Sequence, residues 1–347
     1  MITGTGDTGR HEVDLLIVGA GPCGLAAAIS AQRAGLRARV LDAGAVASTI
    51  TQYPYYVKFF STAEKLALGG MPFLAADDKP TRREGLAYYR AIVRHFGLDV
   101  RQYERVHRLE RGDRGWLVHS ESMEGQRHRT SARAVCVATG YFGSPNLLGV
   151  PGEPLPHVAH VYREGHGAYD QDVVVVGGGN SAAEATLDLW RAGARVTLVH
   201  FGPTFDKKIK PWVLPDVENR MKEGVIAVRW NSRVASIAPG IVTIDGPSGA
   251  ERLPARFVYV MTGFAPNTTL LAEAGVPIDP VTGIPEHDPE TLETTMPGLF
   301  IAGVVVAGYD ANKIFIENGR FHGDQIVARL LGQAAPSAPR LSAELDT

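Results

Sequence analysis

The chain has 347 residues, 45% hydrophobic and 21% charged, with a formal net charge of -2. That length allows two domains, and that balance is ordinary for a globular protein and argues against a dedicated nucleic-acid binder. No apolar run approaches the ~18 residues of a membrane span, and the two cysteines, Cys23 and Cys136, form neither a C-x-x-C pair nor a metal-ligand spacing. The expectation is no metal, no nucleic-acid partner and no membrane partner. Residues 1–12 lack a basic segment followed by an apolar one, so no leader is expected and the cytoplasm is the default location.

Residues 1–11 and 336–347 are expected to be disordered tails. The first ordered unit is a strand over Asp14–Val18, a glycine turn, a helix over Pro22–Ala34 stopped at Gly35, and a strand over Ala38–Leu41. The turn reads Gly19-Ala20-Gly21-Pro22-Cys23-Gly24. A G-x-G-x-x-G between strand and helix is a dinucleotide-binding fingerprint. Gly19 allows the tight turn, Gly21 lets a pyrophosphate approach the backbone, and Gly24 lets helix and strand pack closely. The phosphates would meet the free N–H groups of the helix N-terminus beside Pro22. Asp42 ends the second strand eighteen positions after Gly24, where a carboxylate can bind an adenosine ribose hydroxyl.

A long connection over 48–85 carries Tyr53, Tyr55, Tyr56, Phe59 and Phe60, and a helix follows over Arg82–Phe96, with Leu86, Tyr89, Ile92, Val93 and Phe96 on its apolar face. The aromatics can line a ligand or simply pack under the loop. Short strands are expected over Val100–Val106, Arg108–Glu110, Gly115–Ser120 and Ala134–Ala138, the last ending in Thr139-Gly140. Cys136 reads as a buried, inert side chain between valines.

A Pro- and Gly-rich linker over 144–170 leads to a second strand–turn–helix. Here Gly177, Gly179 and Ala182 occupy the fingerprint positions, with Asn180 and Ser181 at the helix start. The helix is expected to reach about Ala192, followed by a strand over Arg195–Val199. The residue in the place of Asp42 is His200, and Lys207, Lys208 and Lys210 follow. A missing carboxylate with cations nearby suits the 2′-phosphate of NADPH; the alternative is a solvated lysine run and NADH. A short helix is expected over Val217–Glu223 and strands over Val225–Trp230, Arg233–Ile237, Ile241–Ile244 and Arg256–Met261, the last leading to Thr262-Gly263. A closing strand at Gly298–Gly303 precedes a long helix, led by Asp310-Ala311-Asn312 and running through Leu331, whose N-terminus could stabilise negative charge on a ring edge.

The expected fold class is therefore α/β, three-layered, with two Rossmann-like dinucleotide-binding domains, one inserted into the other. The expected boundaries are 12–150 with 290–335 for the outer domain and 151–289 for the insert. This plan resembles the thioredoxin-reductase-like flavoprotein reductases. Within them, Gly21-Pro22-Cys23-Gly24, Phe59-Phe60-Ser61, Ile209-Lys210-Pro211-Trp212 and Phe315-Ile316-Glu317-Asn318-Gly319-Arg320-Phe321-His322-Gly323 resemble the bacillithiol disulfide reductase (YpdA-like) family. The resemblance implies FAD in the outer domain, NADPH in the insert, a homodimer, and reduction of a low-molecular-weight thiol disulfide. It implies further cofactor-binding positions at Val106, Thr139, Gly140, Gly303 and Asn312 for FAD, and at His200, Lys208, Lys210, Thr262 and Gly263 for NADPH. Cys23 is the candidate catalytic thiol, with a pKa expected to be lowered by the helix N-terminus. The sequence departs from the wider group in having no C-x-x-C pair, Val304 in place of an Asp after Gly303, and Phe201 in place of an Arg after His200. A ferredoxin–NADP reductase-like electron relay, a flavin-binding sensor and a monooxygenase remain as alternatives.

Overall fold

The computed structural model describes residues 11–206, 209–310, 313–334 and 336. Lys208 and Asn312, like Lys207 and Ala311, lie outside the described residues, as do the expected tails except His11 and Pro336.

The chain forms two compact units. One holds the described residues of 1–51, 58–144 and 265–347; the other holds 52–57 and 145–264. In the first unit the order is β1 (Val13–Val18), α1 (Pro22–Arg33), β2 (Ala38–Leu41), α2 (Ala63–Leu66), α3 (Arg82–Phe96), β3 (Val100–Arg101), β4 (Glu104–Arg111), β5 (Trp116–Ser122) and β6 (Arg127–Val137). β1 is a near-continuous apolar run because both faces of a parallel sheet are covered; Leu15, Leu16 and Ile17 are fully buried. β3, β2, β1 and β6 are parallel neighbours in that order, with Ile17 in register with Cys136. The expected single strand over Val100–Val106 is broken: Tyr103 has φ +58°, which turns the chain out of the parallel sheet and into the antiparallel β4–β5–β6 meander. β6 joins the parallel and antiparallel parts of one seven-stranded sheet. Its residues 127–132 pair with β5, and Val135–Val137 pair with the closing strand. Helix α3 has the expected bounds, started by a Thr81/Glu84 capping box and stopped by Gly97 at φ +60°. Its buried face includes Tyr88, whose hydroxyl accepts from Leu68 N–H and donates to Met71 O, both at 2.8 Å.

The second unit runs β7 (Val158–Ala159), β8 (Asp172–Val176), α4 (Asn180–Arg191), β9 (Arg195–Val199), α5 (Leu214–Lys222), β10 (Ala227–Arg229), β11 (Arg233–Ala238), β12 (Gly240–Gly246), β13 (Gly249–Ala255) and β14 (Phe257–Val260). Its parallel sheet has the order β10-β9-β8-β14-β7, and β11–β13 form a separate antiparallel sheet. Sequence reading missed β7, only two residues long, and β13, whose Gly-Ala-Glu-Arg-Leu-Pro-Ala lacks a clean apolar alternation. The aromatic stretch 52–57 packs in this unit, where Tyr55 N–H donates to Arg163 O at 3.0 Å.

The chain returns to the first unit at 265, earlier than the expected 290. Leu271 and Val276, in and after α6 (Thr269–Glu273), share a core with Leu109, Trp116 and Val118 of the meander. β15 (Leu299–Ile301) then pairs with β6, Phe300 opposite Cys136. The expected single closing helix is two: α7 (Ile316–Gly319) and α8 (His322–Leu330). α8 packs on α1, where Ser30 Oγ donates to Asp324 Oδ1 at 2.6 Å. The two parallel sheets thus share a plan, β3-β2-β1-β6-β15 and β10-β9-β8-β14-β7, although the last strand follows the others in the first unit and precedes them in the second.

Candidate functional site

Both fingerprint loops are built alike. Gly19 N–H donates to Leu41 O at 2.8 Å and Gly177 N–H to Val199 O at 3.0 Å, so each first glycine is tied to the end of the second strand. Gly19 has φ +115° and Gly177 φ +144°, and a Cβ on either would collide with a carbonyl oxygen, that of Ala138 or of Met261. Those carbonyls immediately precede Thr139-Gly140 and Thr262-Gly263. The two Thr-Gly endings are therefore where the neighbouring strand touches the turn, which explains their repetition. A Cβ on Gly24 would meet Gly19 O, as expected for the glycine that packs helix on strand. Gly21 has no atom within 4 Å of its would-be Cβ and is the N-cap of α1, with no side chain capping it. Pro22 follows at the first helical position. Gly179 is the uncapped N-cap of α4, and Ala182, fully buried, packs under Gly177. Ser181 is exposed at the helix start.

Asp42 ends β2 as expected. Its Oδ2 accepts from Ala20 N–H at 2.6 Å and its Oδ1 from Gly44 N–H at 2.7 Å, so the carboxylate clamps the fingerprint loop to the strand end. Gln102, which sequence reading missed, helps: its Oε1 accepts from Val46 N–H at 2.9 Å. Glu104 N–H donates to Asp42 O, and Val106, two residues on, lies at a bulge in β4, half-buried against the meander core.

Cys23 is in the first turn of α1. A methyl group on Gly303 would lie 3.2 Å from its Sγ, and one on Gly319 2.7 Å from it. Part of the residue meets solvent, but burial of the sulfur pushes the thiol pKa up to about 12. This reverses the expectation of a thiolate. Desolvation of the charged form outweighs the helix N-terminus when the sulfur is packed against backbone. Cys136 is fully buried and its pKa is also raised. The Gly303 N–H, which lacks a following Asp, donates to His322 Nδ1 at 3.0 Å. His322 is buried, and burial together with the nearby His287 lowers its pKa to about 4. The helix expected to follow Asn312 starts at Ile316 instead.

In the second unit His200 is buried and its ring covers Gly178, where any Cβ would strike it. Burial lowers its pKa, and Nδ1 has no partner among the described residues. His200 stands where Asp42 stands in the first unit, as expected, and its burial disfavours a charge on the ring. Asn180 Oδ1 accepts from Lys210 N–H at 2.8 Å, holding the helix start to the following loop, and Lys210 Nζ lies 5.9 Å from the Trp212 ring. Thr262 Oγ1 donates to Asn146 O at 2.6 Å and Gly263 O accepts from Asn146 N–H at 3.0 Å. Asn146, in the linker, had no sequence signal. Among the described residues no helix is long and apolar enough to cross a membrane.

Two units of this kind, each with a parallel sheet and an uncapped glycine turn at a helix N-terminus, define a two-dinucleotide-domain fold. Residues 16–303 match the family model described as pyridine nucleotide-disulphide oxidoreductase, and the chain belongs to that family. It is 41% identical over 317 residues, 91% of this chain and 96% of the relative, to the bacilliredoxin reductase Bdr of Bacillus subtilis (strain 168). It is similar to the solved bacillithiol disulfide reductase Bdr (YpdA) from Bacillus cereus, with a TM-score of 0.91, 41% identity and coverage of 92% of this chain and 99% of that one. The Staphylococcus aureus structure of the same name gives a TM-score of 0.87 at 36% identity, covering 93% and 99%. The family's description names a pyridine nucleotide and a disulphide, and FAD with NADPH are the cofactors it implies. The open space at Gly21 and the unfilled α1 N-cap fit a flavin dinucleotide pyrophosphate in the first unit, and the matching turn at Gly179 fits a nicotinamide dinucleotide in the second.

Proposed function

We propose that this chain passes a hydride from NADPH to FAD and the two electrons on to the disulfide of a low-molecular-weight thiol of the bacillithiol type. The net reaction is NADPH plus a proton plus RSSR giving NADP⁺ plus two RSH. The bound flavin supplies two-electron acceptance and delivery; alignment falls to the protein. In the first unit, Gly19, Gly21, Pro22 and Gly24 would cradle the pyrophosphate. Asp42 would hold the ribose with its remaining lone pairs, and Val106, Thr139, Gly140 and Gly303 would line the flavin. In the second, Gly177, Gly179, Asn180, Ser181 and Ala182 would hold NADPH, with His200, Lys210, Thr262 and Gly263 around it.

The observation that carries the acceptor is the placement of Cys23, the one thiol that is not fully buried, against Gly303 and Gly319 beside the fingerprint loop. Cys23 would attack the disulfide and give its proton to the first RSH, leaving a Cys23–S–S–R mixed disulfide. Two electrons and two protons, the hydride of NADPH and the free proton of the net reaction, would then restore the thiol and release the second RSH. The names of the relatives, one for bacillithiol disulfide and one for bacilliredoxin, support a thiol-disulfide acceptor. The test is anaerobic: reduce the flavin with NADPH, add bacillithiol disulfide, a bacilliredoxin mixed disulfide or ferredoxin, and follow flavin reoxidation. Reoxidation by a disulfide, lost in Cys23→Ser, supports this reading; full turnover of Cys23→Ser removes Cys23 from it.

The raised thiol pKa favours a second reading, in which electrons leave the flavin for a protein carrier without Cys23. Reoxidation by ferredoxin but by neither disulfide would decide for that relay. A cytoplasmic location agrees with thiol-disulfide reduction in a compartment that keeps thiols reduced. A homodimer is the state implied by the family resemblance; light scattering of the purified holoenzyme tests it.

A further inference from the structure

His200, in the place of Asp42, is buried, and Lys210, one of the expected cations for a 2′-phosphate, has its Nζ 5.9 Å from the Trp212 ring. A different cation stands beside the residue that follows His200. Arg233, the first residue of β11, has its guanidinium carbon 4.8 Å from the centroid of the exposed Phe201 ring.

We infer that the Arg233 guanidinium, stacked on Phe201, receives the 2′-phosphate of NADPH and sets the preference of this chain for NADPH over NADH. The inference rests on the NADPH reading above. In a dinucleotide fold the adenosine ribose lies beyond the end of the second strand, and an arginine nearby accommodates the 2′-phosphate. Phe201 is the second residue beyond β9, directly after His200, which stands in the ribose position.

The placement of Arg233 is enforced by backbone. His200 N–H donates to Arg229 O at 3.0 Å, Asn231 N–H to Gly202 O at 2.9 Å, and Ser232 N–H to His200 O at 3.0 Å. These bonds lace 200–202 to 229–232, so Phe201 and Arg233 are held side by side before any ligand arrives. Stacking on an aromatic face leaves the N–H edges of a guanidinium open to a planar, bidentate contact with phosphate. Arg233 is exposed, and among the described residues its contact is the ring rather than a carboxylate. Arg229, four residues earlier, is occupied by a two-pronged pair with Glu251 at 2.8 Å for both bonds.

The experiment is equilibrium binding of NADP⁺ and of NAD⁺ to the oxidised, FAD-loaded enzyme by calorimetry, with no turnover involved. Wild type is expected to prefer NADP⁺. In Arg233→Ala and Arg233→Gln that affinity ratio should fall about 10- to 100-fold, the range for losing a hydrogen bond to a charged group. Phe201→Ala should lower it by a smaller factor, and Arg233→Lys should restore part of it. Two variants at 233, each checked for FAD content and thermal midpoint, guard against misfolding; if neither folds, the Phe201→Ala ratio decides. A wild-type preference for NADP⁺ that survives both Arg233 variants, or Phe201→Ala alone where they do not fold, overturns the assignment of Arg233 and leaves NADPH standing. No preference in wild type overturns the NADPH reading, and Arg233 with it.

Discussion

Cys23 Sγ and Gly319 face each other so closely that a methyl group at 319 would lie 2.7 Å from the sulfur, with Ile314 Cγ2 at 3.3 Å on another side. α7 and α1 are held at this separation by the absence of a side chain. Gly319→Ala is expected to destabilise the protein by about 1–3 kcal/mol, the usual cost of overpacking. Urea unfolding measures it. In Cys23→Ala/Gly319→Ala the penalty should shrink, because the sulfur that obstructs the new methyl is gone.

The same enclosure governs thiol chemistry. With the Cys23 pKa at about 12, alkylation by iodoacetamide is expected to be slow at pH 7 and to rise about tenfold per pH unit as the thiolate fraction grows. There is a linked stability effect. The unfolded thiol ionises near its ordinary value of 9.0 while the folded one stays protonated. The contribution is therefore full below pH 9 and is lost as pH rises toward 12. Cys23→Ala should flatten that alkaline limb of the denaturation curve. A pH-independent, rapid alkylation at pH 7 would show that the sulfur is not desolvated.

His322 makes the opposite prediction on the acid side. Its folded pKa of about 4 lies below the ordinary 6.5, so the unfolded state binds the extra proton first as pH falls. Stability from this group is present above pH 6.5 and declines between 6.5 and 4, by up to about 3 kcal/mol. His322→Asn offers an oxygen near the place of Nδ1 for the Gly303 N–H and cannot titrate. It is expected to lose less stability between pH 6.5 and 4 than wild type, read from chemical denaturation at several pH values.

Asp42 accepts two backbone N–H groups, one with each oxygen. Asp42→Ala leaves both donors without a partner and is expected to cost about 1–3 kcal/mol per unsatisfied group. Asp42→Asn does not rescue it fully, since its amide nitrogen must face one of the two donors. Both variants should purify with less FAD, measured by the flavin-to-protein absorbance ratio, because the loop they loosen is the pyrophosphate turn. Unchanged flavin content with a lowered melting temperature would confine Asp42 to loop closure.

The local signals in the sequence were enough to determine both fingerprint units: β1, α1 and β2, then β8, α4 and β9, with bounds within a residue, because alternating glycine, small-residue and apolar constraints act over a single strand–turn–helix. They also determined α3, whose capping box and stop glycine are local. What only the tertiary structure decided depends on neighbours far along the chain. The pairing of β6 with β15 and the return at 265 join residues more than a hundred positions apart. The chemistry of two site residues depends on neighbours as well. A helix N-terminus read alone favours a thiolate at Cys23, and His200 read alone is only a residue that stands where a carboxylate could. Gly303 and Gly319, distant in sequence, enclose the sulfur, and Gly178 packs under the buried imidazole, so burial disfavours the charged form of each. Desolvation is set by everything packed around a group, and no window of sequence contains that information.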